Sequence, residues 1–121
     1  MKAKDIMIGD WVANENERLQ VYSIGQNSVV FPDKSVAHQD FLQPIPLTAE
    51  ILEKNEFEKK TFYGIYDDYF DLDIREYSDG LYIVTYHSCE FNIPDQTIHL
   101  SWVHELQHFM RHCGIDKEIV L

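Results

Sequence analysis

Basic residues are scarce in this chain of 121 residues: ten Lys and Arg stand against 21 Asp and Glu, a formal net charge of −11. A surface this acidic repels phosphate backbones and anionic headgroups, which argues against nucleic-acid binding and against docking on a membrane. Cysteine is nearly absent. Cys89 and Cys113 form no CxxC pair and imply no disulfide framework; both read as free, partly buried thiols of a reducing compartment. Glycine is sparse, five in all, with none in a GxGxxG or GxxxxGK setting, so the phosphate-cradling loops are missing. No apolar run is long enough to span a bilayer. The run Ile6-Met7-Ile8 is too short for a signal peptide, and the expected location is cytoplasmic.

Apolar residues, by contrast, are plentiful. They make up 45% of the chain, and aromatics 13%, enough for a core in one domain or two tightly fused subdomains. The acidity is uneven. Residues 1–47 hold four Lys/Arg against six Asp/Glu, and residues 48–121 hold six against fifteen. The second part is therefore the one suited to meet a basic partner.

The pattern divides the chain into three parts of an α+β fold. Residues 1–46 read as short strands: Trp11-Val12-Ala13, the alternating Leu19 to Ile24, a turn at Gly25-Gln26-Asn27, the return strand Val29-Val30-Phe31, and an extended piece from Asp40 to Ile45. Strands so short and so closely spaced predict a small SH3-like β-barrel. Residues 47–57 read as a linking helix. Thr48 is its N-cap, Leu47 and Leu52 fall at the staple positions, and Asn55 is the residue able to turn left-handed and end it. Residues 58–121 read as an antiparallel sheet packed by one C-terminal helix. Phe62–Tyr66 is a strand; Phe70, Leu72 and Ile74 alternate with Asp71, Asp73 and Arg75 as a half-buried one. A three-residue loop with Gly80 left-handed sets Ile74 opposite Val84 and Asp71 opposite His87. The helix spans Trp102 to His112 with Ser101 as N-cap and Gly114 beyond its end, and Ile119-Val120-Leu121 closes as an edge strand.

The chemically suggestive string is His104-Glu105-Leu106-Gln107-His108, an HExxH on the final helix. Two imidazoles four residues apart share a helix face and can bind one zinc, with the intervening Glu activating its water. The third ligand of that arrangement has no counterpart here. Arg111 and Gly114 stand where the long form of the motif needs Gly and His, and His112 lies two turns from His104, about 12 Å along the axis. A third ligand would have to come from His38, His87, His99 or a carboxylate elsewhere. The apolar stripe Trp102, Val103, Leu106, Phe109, Met110 and Cys113 puts His104, Gln107, His108 and Arg111 on the opposite, solvated side.

Other groupings read as structure. The carboxylates of Asp67, Asp68, Asp71 and Asp73 lack the EF-hand spacing and suit a turn and the wet face of a strand. Tyr63, Tyr66, Tyr69, Tyr77, Tyr82 and Tyr86 are half-buried strand residues or a binding surface. Cys89 near His87, and Cys113 beside His112, have no orienting third group.

Three strings carry a family resemblance: Met7-Ile8-Gly9-Asp10-Trp11-Val12, Pro44 to Asn55 (PIPLTAEILEKN), and Val103-His104-Glu105-Leu106-Gln107-His108 followed by Cys113-Gly114-Ile115. With these the chain resembles a family of small uncharacterised proteins of gut anaerobes, often prophage-associated, which commonly has Gly ahead of the residue matching Phe57. The resemblance covers both ends and the middle and implies no activity. Its members vary within the stretch matching His104–His108, which argues against catalysis there.

The reading is therefore an accessory or protein-interaction module without catalysis, with an unknown protein partner. It has no cofactor and no assigned catalytic or metal residue. Its binding surface is the acidic, tyrosine-bearing sheet of the second part. Two alternatives stand beside it: a zinc-dependent hydrolase using His104, Glu105 and His108, and an acidic decoy binding a DNA-binding protein.

Overall fold

The computed structural model describes residues 1–59, 62–90 and 92–121. It is α+β, with antiparallel strands and two α-helices. Contacts divide the chain into two compact units: Met1–Pro46 with Trp102–His108, and Leu47–Ser101 with Phe109–Leu121.

In the first unit, strand β1 (Trp11–Ala13) pairs with β2 (Arg18–Gln20), and β3 (Ser23–Ile24), β4 (Ser28–Val30) and β5 (Val36–His38) form a three-stranded sheet. The predicted strand from Leu19 to Ile24 is split. Val21 N–H bonds back to Asp10 C=O at 2.9 Å, whereas Tyr22 N–H bonds forward to Val30 C=O at 2.9 Å, so the chain changes partners there, as a strand does when it passes between sheets. The expected extended piece from Asp40 begins instead inside a 3-10 turn, Gln39–Phe41, and becomes strand-like only at Gln43, which exchanges two backbone bonds with Ala13. The two sheets enclose one apolar cluster of Ile6, Val12, Val21, Val29, Phe31 and Leu42. Burying each of these side chains is worth about 1.5–3 kcal/mol. Among the described residues the sheets do not close into a barrel.

The second unit opens with helix α1 (Ala49–Lys54). Thr48 caps it as expected, its hydroxyl accepting the Ile51 N–H at 3.2 Å. The left-handed residue at its end is Glu56 (φ 62°), not Asn55. Phe57 N–H returns to Leu52 C=O and Glu56 N–H to Glu53 C=O, both at 3.1 Å. This is a Schellman ending, and it buries Phe57. The Asn55 side chain instead holds the C-terminal segment: its amide donates to Ile51 C=O and Val120 C=O, and its oxygen accepts the Val120 N–H at 2.6 Å. Residues 119–121 therefore form no edge strand; a side chain supplies the partner that a neighbouring strand would have given.

A five-stranded antiparallel sheet follows, ordered β10-β9-β8-β7-β6, from β6 (Glu58–Lys59), β7 (Tyr63–Tyr66), β8 (Phe70–Ser78), β9 (Leu81–Ser88) and β10 (Gln96–Leu100). The register is the expected one, Ile74 opposite Val84 and Asp71 opposite His87. The loop, however, is only Asp79-Gly80, because Ser78 pairs with Leu81 and the extra residue is accommodated at a bulge around Tyr77. Phe62 lies outside β7. Gly64 in β7 has a packing reason: a Cβ there would stand 2.4 Å from Leu72 C=O and 2.6 Å from the Tyr66 ring. Tyr66 folds over Gly64 and donates to Asp73, the cross-strand partner of Gly64, at 2.7 Å. Burial, and then the Asp73 carboxylate, push the Tyr66 phenol up to about 12.

Helix α2 (Val103–His112) begins one residue later than expected. Gly114 (φ 75°) ends it in a second Schellman motif, with Ile115 N–H on Met110 C=O at 2.8 Å and Gly114 N–H on Arg111 C=O at 3.1 Å. Cys113 is half-buried, and burial raises its thiol pKa, while Cys89 is exposed, against the expectation that both are covered. No helix among the described residues is long and apolar enough to cross a membrane.

Candidate functional site: the HExxH helix and the Gly9-Asp10 turn

The start of α2 fixes the role of Glu105. Trp102, the residue before the first helical position, has its N–H bonded to Glu105 Oε1 at 3.1 Å. That is the carboxylate half of a capping box, three residues into the helix and reaching back to an otherwise orphaned amide. The first helical residue is Val103, so Trp102 directly precedes the helix.

The imidazoles are half-buried rather than open to water. Residues Met7–Asp10 make a tight turn, closed by Asp10 N–H on Met7 C=O at 3.0 Å, with Gly9 at φ 90°. A left-handed residue at that place is what glycine permits. The turn lies against the supposedly solvated face of α2. Gln107, 5% exposed, accepts the Trp11 N–H and donates to the Gly9 C=O, each at 3.0 Å. Asp10 is fully buried, and its Oδ2 accepts the Met7 N–H at 2.8 Å and meets His108 Nε2 at 2.5 Å. His104 stands edge-on to His108, with ring centroids 5.5 Å apart. Its Nδ1 is buried and, among the described residues, meets no hydrogen-bond partner. Burial pushes the His104 pKa down, His108 adds to this, and Asp10 opposes it.

The expectation of a wet polar face is thus corrected. Two side chains of that face, Gln107 and His108, meet the Gly9-Asp10 turn, where a main-chain amide, a main-chain carbonyl and one carboxylate replace water as their partners, and His104 packs edge-on against His108. Sequence reasoning missed Asp10 and Gln107 as members of the cluster. The available signal is the string Met7–Val12 itself, which carries the resemblance together with the helix string that it meets.

His108 Nε2 is directed at Asp10, Glu105 is engaged at the helix start, and among the described residues no three His, Cys, Asp or Glu gather as a metal site. A zinc site needs at least three protein donors about 2.0–2.3 Å from one point. His38 bonds the Asp40 amide, His87 meets Asp95 at 2.5 Å, and His112 meets Gln96 at 3.1 Å. His99 stacks on Tyr77. None of the four joins the pair.

The acidic sheet is more ordered than a simple patch of charge. Asp67 accepts the Tyr69 and Phe70 amides, closing the turn before β8. Tyr63 donates to Glu53, Tyr66 to Asp73, and Tyr82 is buried. Tyr69 and Tyr77 are the strongly exposed members of the set. The Asp95 carboxylate raises the His87 pKa. Comparison of the chain with protein-family models, with curated proteins and with solved structures gives no match.

Proposed function

We propose that this chain is a small cytoplasmic accessory protein, non-catalytic, that binds a basic protein partner through the outer face of its five-stranded sheet. The observation that carries the reading is the pairing of acids with an exposed aromatic on that sheet. Asp71 and Asp73 lie along β8, and Tyr77, 67% exposed, stacks on His99 of β10. Aromatic anchors beside charge are the composition of interface centres. The HExxH string supports the non-catalytic half of the reading, since its Glu caps a helix and its second His meets a buried carboxylate. The short strands around one core in the first unit agree with an opened SH3-like arrangement, a fold that does not itself specify a function.

A pull-down across a salt series tests this. The partner should be released as salt rises from about 0.1 M to 1 M, over which screening shortens from roughly 10 Å to 3 Å. Asp71→Lys and Tyr77→Ala should each weaken capture. Retention that ignores both salt and these substitutions would remove the reading. If the captured partner is a DNA-binding protein and DNA competes for it, the decoy is the form the function takes. Stoichiometric zinc in tag-free protein, lost in His104→Ala, would instead favour a hydrolase.

A further inference from the structure

The first unit carries an unpaired sheet edge beside a groove. In the β4–β5 ladder, Phe31 N–H bonds to Ser35 C=O and Gln39 N–H to Asn27 C=O. Antiparallel pairs alternate between bonded and non-bonded, so with this register Ala37 faces Val29 with its amide and carbonyl. Val36 and His38 turn theirs the other way. The His38 carbonyl serves as the N-cap carbonyl of the Gln39–Phe41 turn; among the described residues the amide and carbonyl of Val36 and the amide of His38 meet no partner, and β5 is the last strand of its sheet.

Beside this edge lies an open groove of about 430 Å³, lined by Asn14, Glu15, Asn16, Val36, His38 and Phe41 among others. Val36 is 65% exposed and Phe41 66%. The far wall is built in advance, because Asn14 Oδ1 accepts the amides of Asn16 and Glu17 and holds that turn. An edge of unsatisfied amides, flanked by apolar side chains and a fixed wall, is the geometry that strand addition uses.

We propose that the β5 edge takes an extended segment of a partner protein, one that alternates apolar residues with Lys or Arg, as an added strand. The charges select this occupant. Glu15 is the charged residue of the lining, and Asp40 lies between His38 and Phe41. A second copy of the chain would bring its own net charge of −11 to the contact. This surface is separate from the acidic sheet, and either can fail without the other.

The backbone offers a clean test. His38 has φ −68° and ψ 144°, values that proline adopts unstrained, and its N–H points away from β4, so His38→Pro removes an edge donor and leaves the sheet's own bonds intact. His38→Ala removes the side chain and its cap on Asp40 but keeps the donor. The probe is a displayed library of random nine-residue peptides panned on the full chain, followed by titration of enriched peptides.

The result expected is enrichment of alternating apolar and basic sequences whose affinity falls about tenfold in His38→Pro and stays within about threefold in His38→Ala. Amide exchange at Val36 and His38 should slow in the complex. The proposal is overturned if no peptide is enriched over the His38→Pro chain, if peptides bind both variants alike, if the enriched peptides are acidic, or if protection falls on the five-stranded sheet instead.

Discussion

Replacing Gly64 by alanine should damage this protein more than its size suggests. The new methyl would sit 2.4 Å from the Leu72 carbonyl oxygen and 2.6 Å from Cζ and Oη of Tyr66. The Tyr66 ring can swing away, but this gives up its bond to Asp73 and uncovers the strand. The carbonyl cannot swing, because it belongs to the ladder between β7 and β8, where Leu72 pairs with Ile65. Restoring a tolerable contact needs the strands to part by roughly 0.6 Å or more, which weakens a main-chain bond of the ladder. Overpacking costs about 1–3 kcal/mol and each weakened hydrogen bond about 1 kcal/mol, while a strand Ala recovers some 0.5–1 kcal/mol of backbone entropy over Gly. The net loss is about 3 kcal/mol, a fall in Tm on the order of 10–15 °C for a chain of this length. Urea melts of the wild type and Gly64→Ala, followed by tryptophan fluorescence and far-UV circular dichroism, should show a lower midpoint at similar slope. Gly80→Ala is the comparison. Gly80 has φ +76° with nothing within 4 Å of the added carbon, so only the left-handed backbone is penalised, by about 1–2 kcal/mol. A Gly64→Ala loss no larger than that of Gly80→Ala would refute the steric argument.

Two further predictions concern single side chains. Asn55→Ala removes three hydrogen bonds at a buried position and should cost about 2–4 kcal/mol; amide exchange at Val120 should rise even under conditions where the sheet stays protected. His104 is held neutral, its pKa below the usual imidazole value chiefly through burial. The unfolded chain therefore binds a proton that the folded one refuses. The contribution of His104 is complete above pH 6.5, the ordinary imidazole value, and is lost as pH falls from there toward the depressed folded value. His104→Gln should flatten the stability profile between pH 7 and 5, and an unchanged slope there would dismiss the assignment.

What could be read from the sequence was whatever depends on local periodicity and caps. The β8–β9 register was expected from a three-residue loop at Gly80; the loop has two residues, and the bulge at Tyr77 restores the same pairing, which keeps Leu72 and Ile74 inside where a slip of one residue would turn the whole apolar set to water. The Thr48 cap followed from one hydroxyl. The C-terminal limit of α1 did not, since Glu56 takes the left-handed position although Asn55 is the better residue for it; Asn55 is occupied in holding Val120. Strand β10 was missed because Gln96-Thr97-Ile98-His99-Leu100 offers only two apolar residues behind Pro94-Asp95. It is a strand because β9 presents an edge to it, which is long-range information.

The polar side of α2 shows the general reason. A helical pattern sorts residues by hydropathy and assigns Gln and His to solvent. Burial is instead decided by whether a polar group finds partners. Gln107 carries one acceptor and a two-hydrogen donor, and the Gly9-Asp10 turn supplies the matching amide of Trp11 and carbonyl of Gly9. That turn exists because glycine tolerates φ 90°, and because the Asp10 carboxylate can accept the Met7 amide from inside it. An HExxH string reads as a metal site when its histidines are assumed to be short of partners. Here the second histidine is met by a carboxylate 98 residues away in sequence, and the glutamate is used by the helix's own first turn. Identical letters at identical spacing can therefore meet different partners, depending on which segment the rest of the chain lays across them.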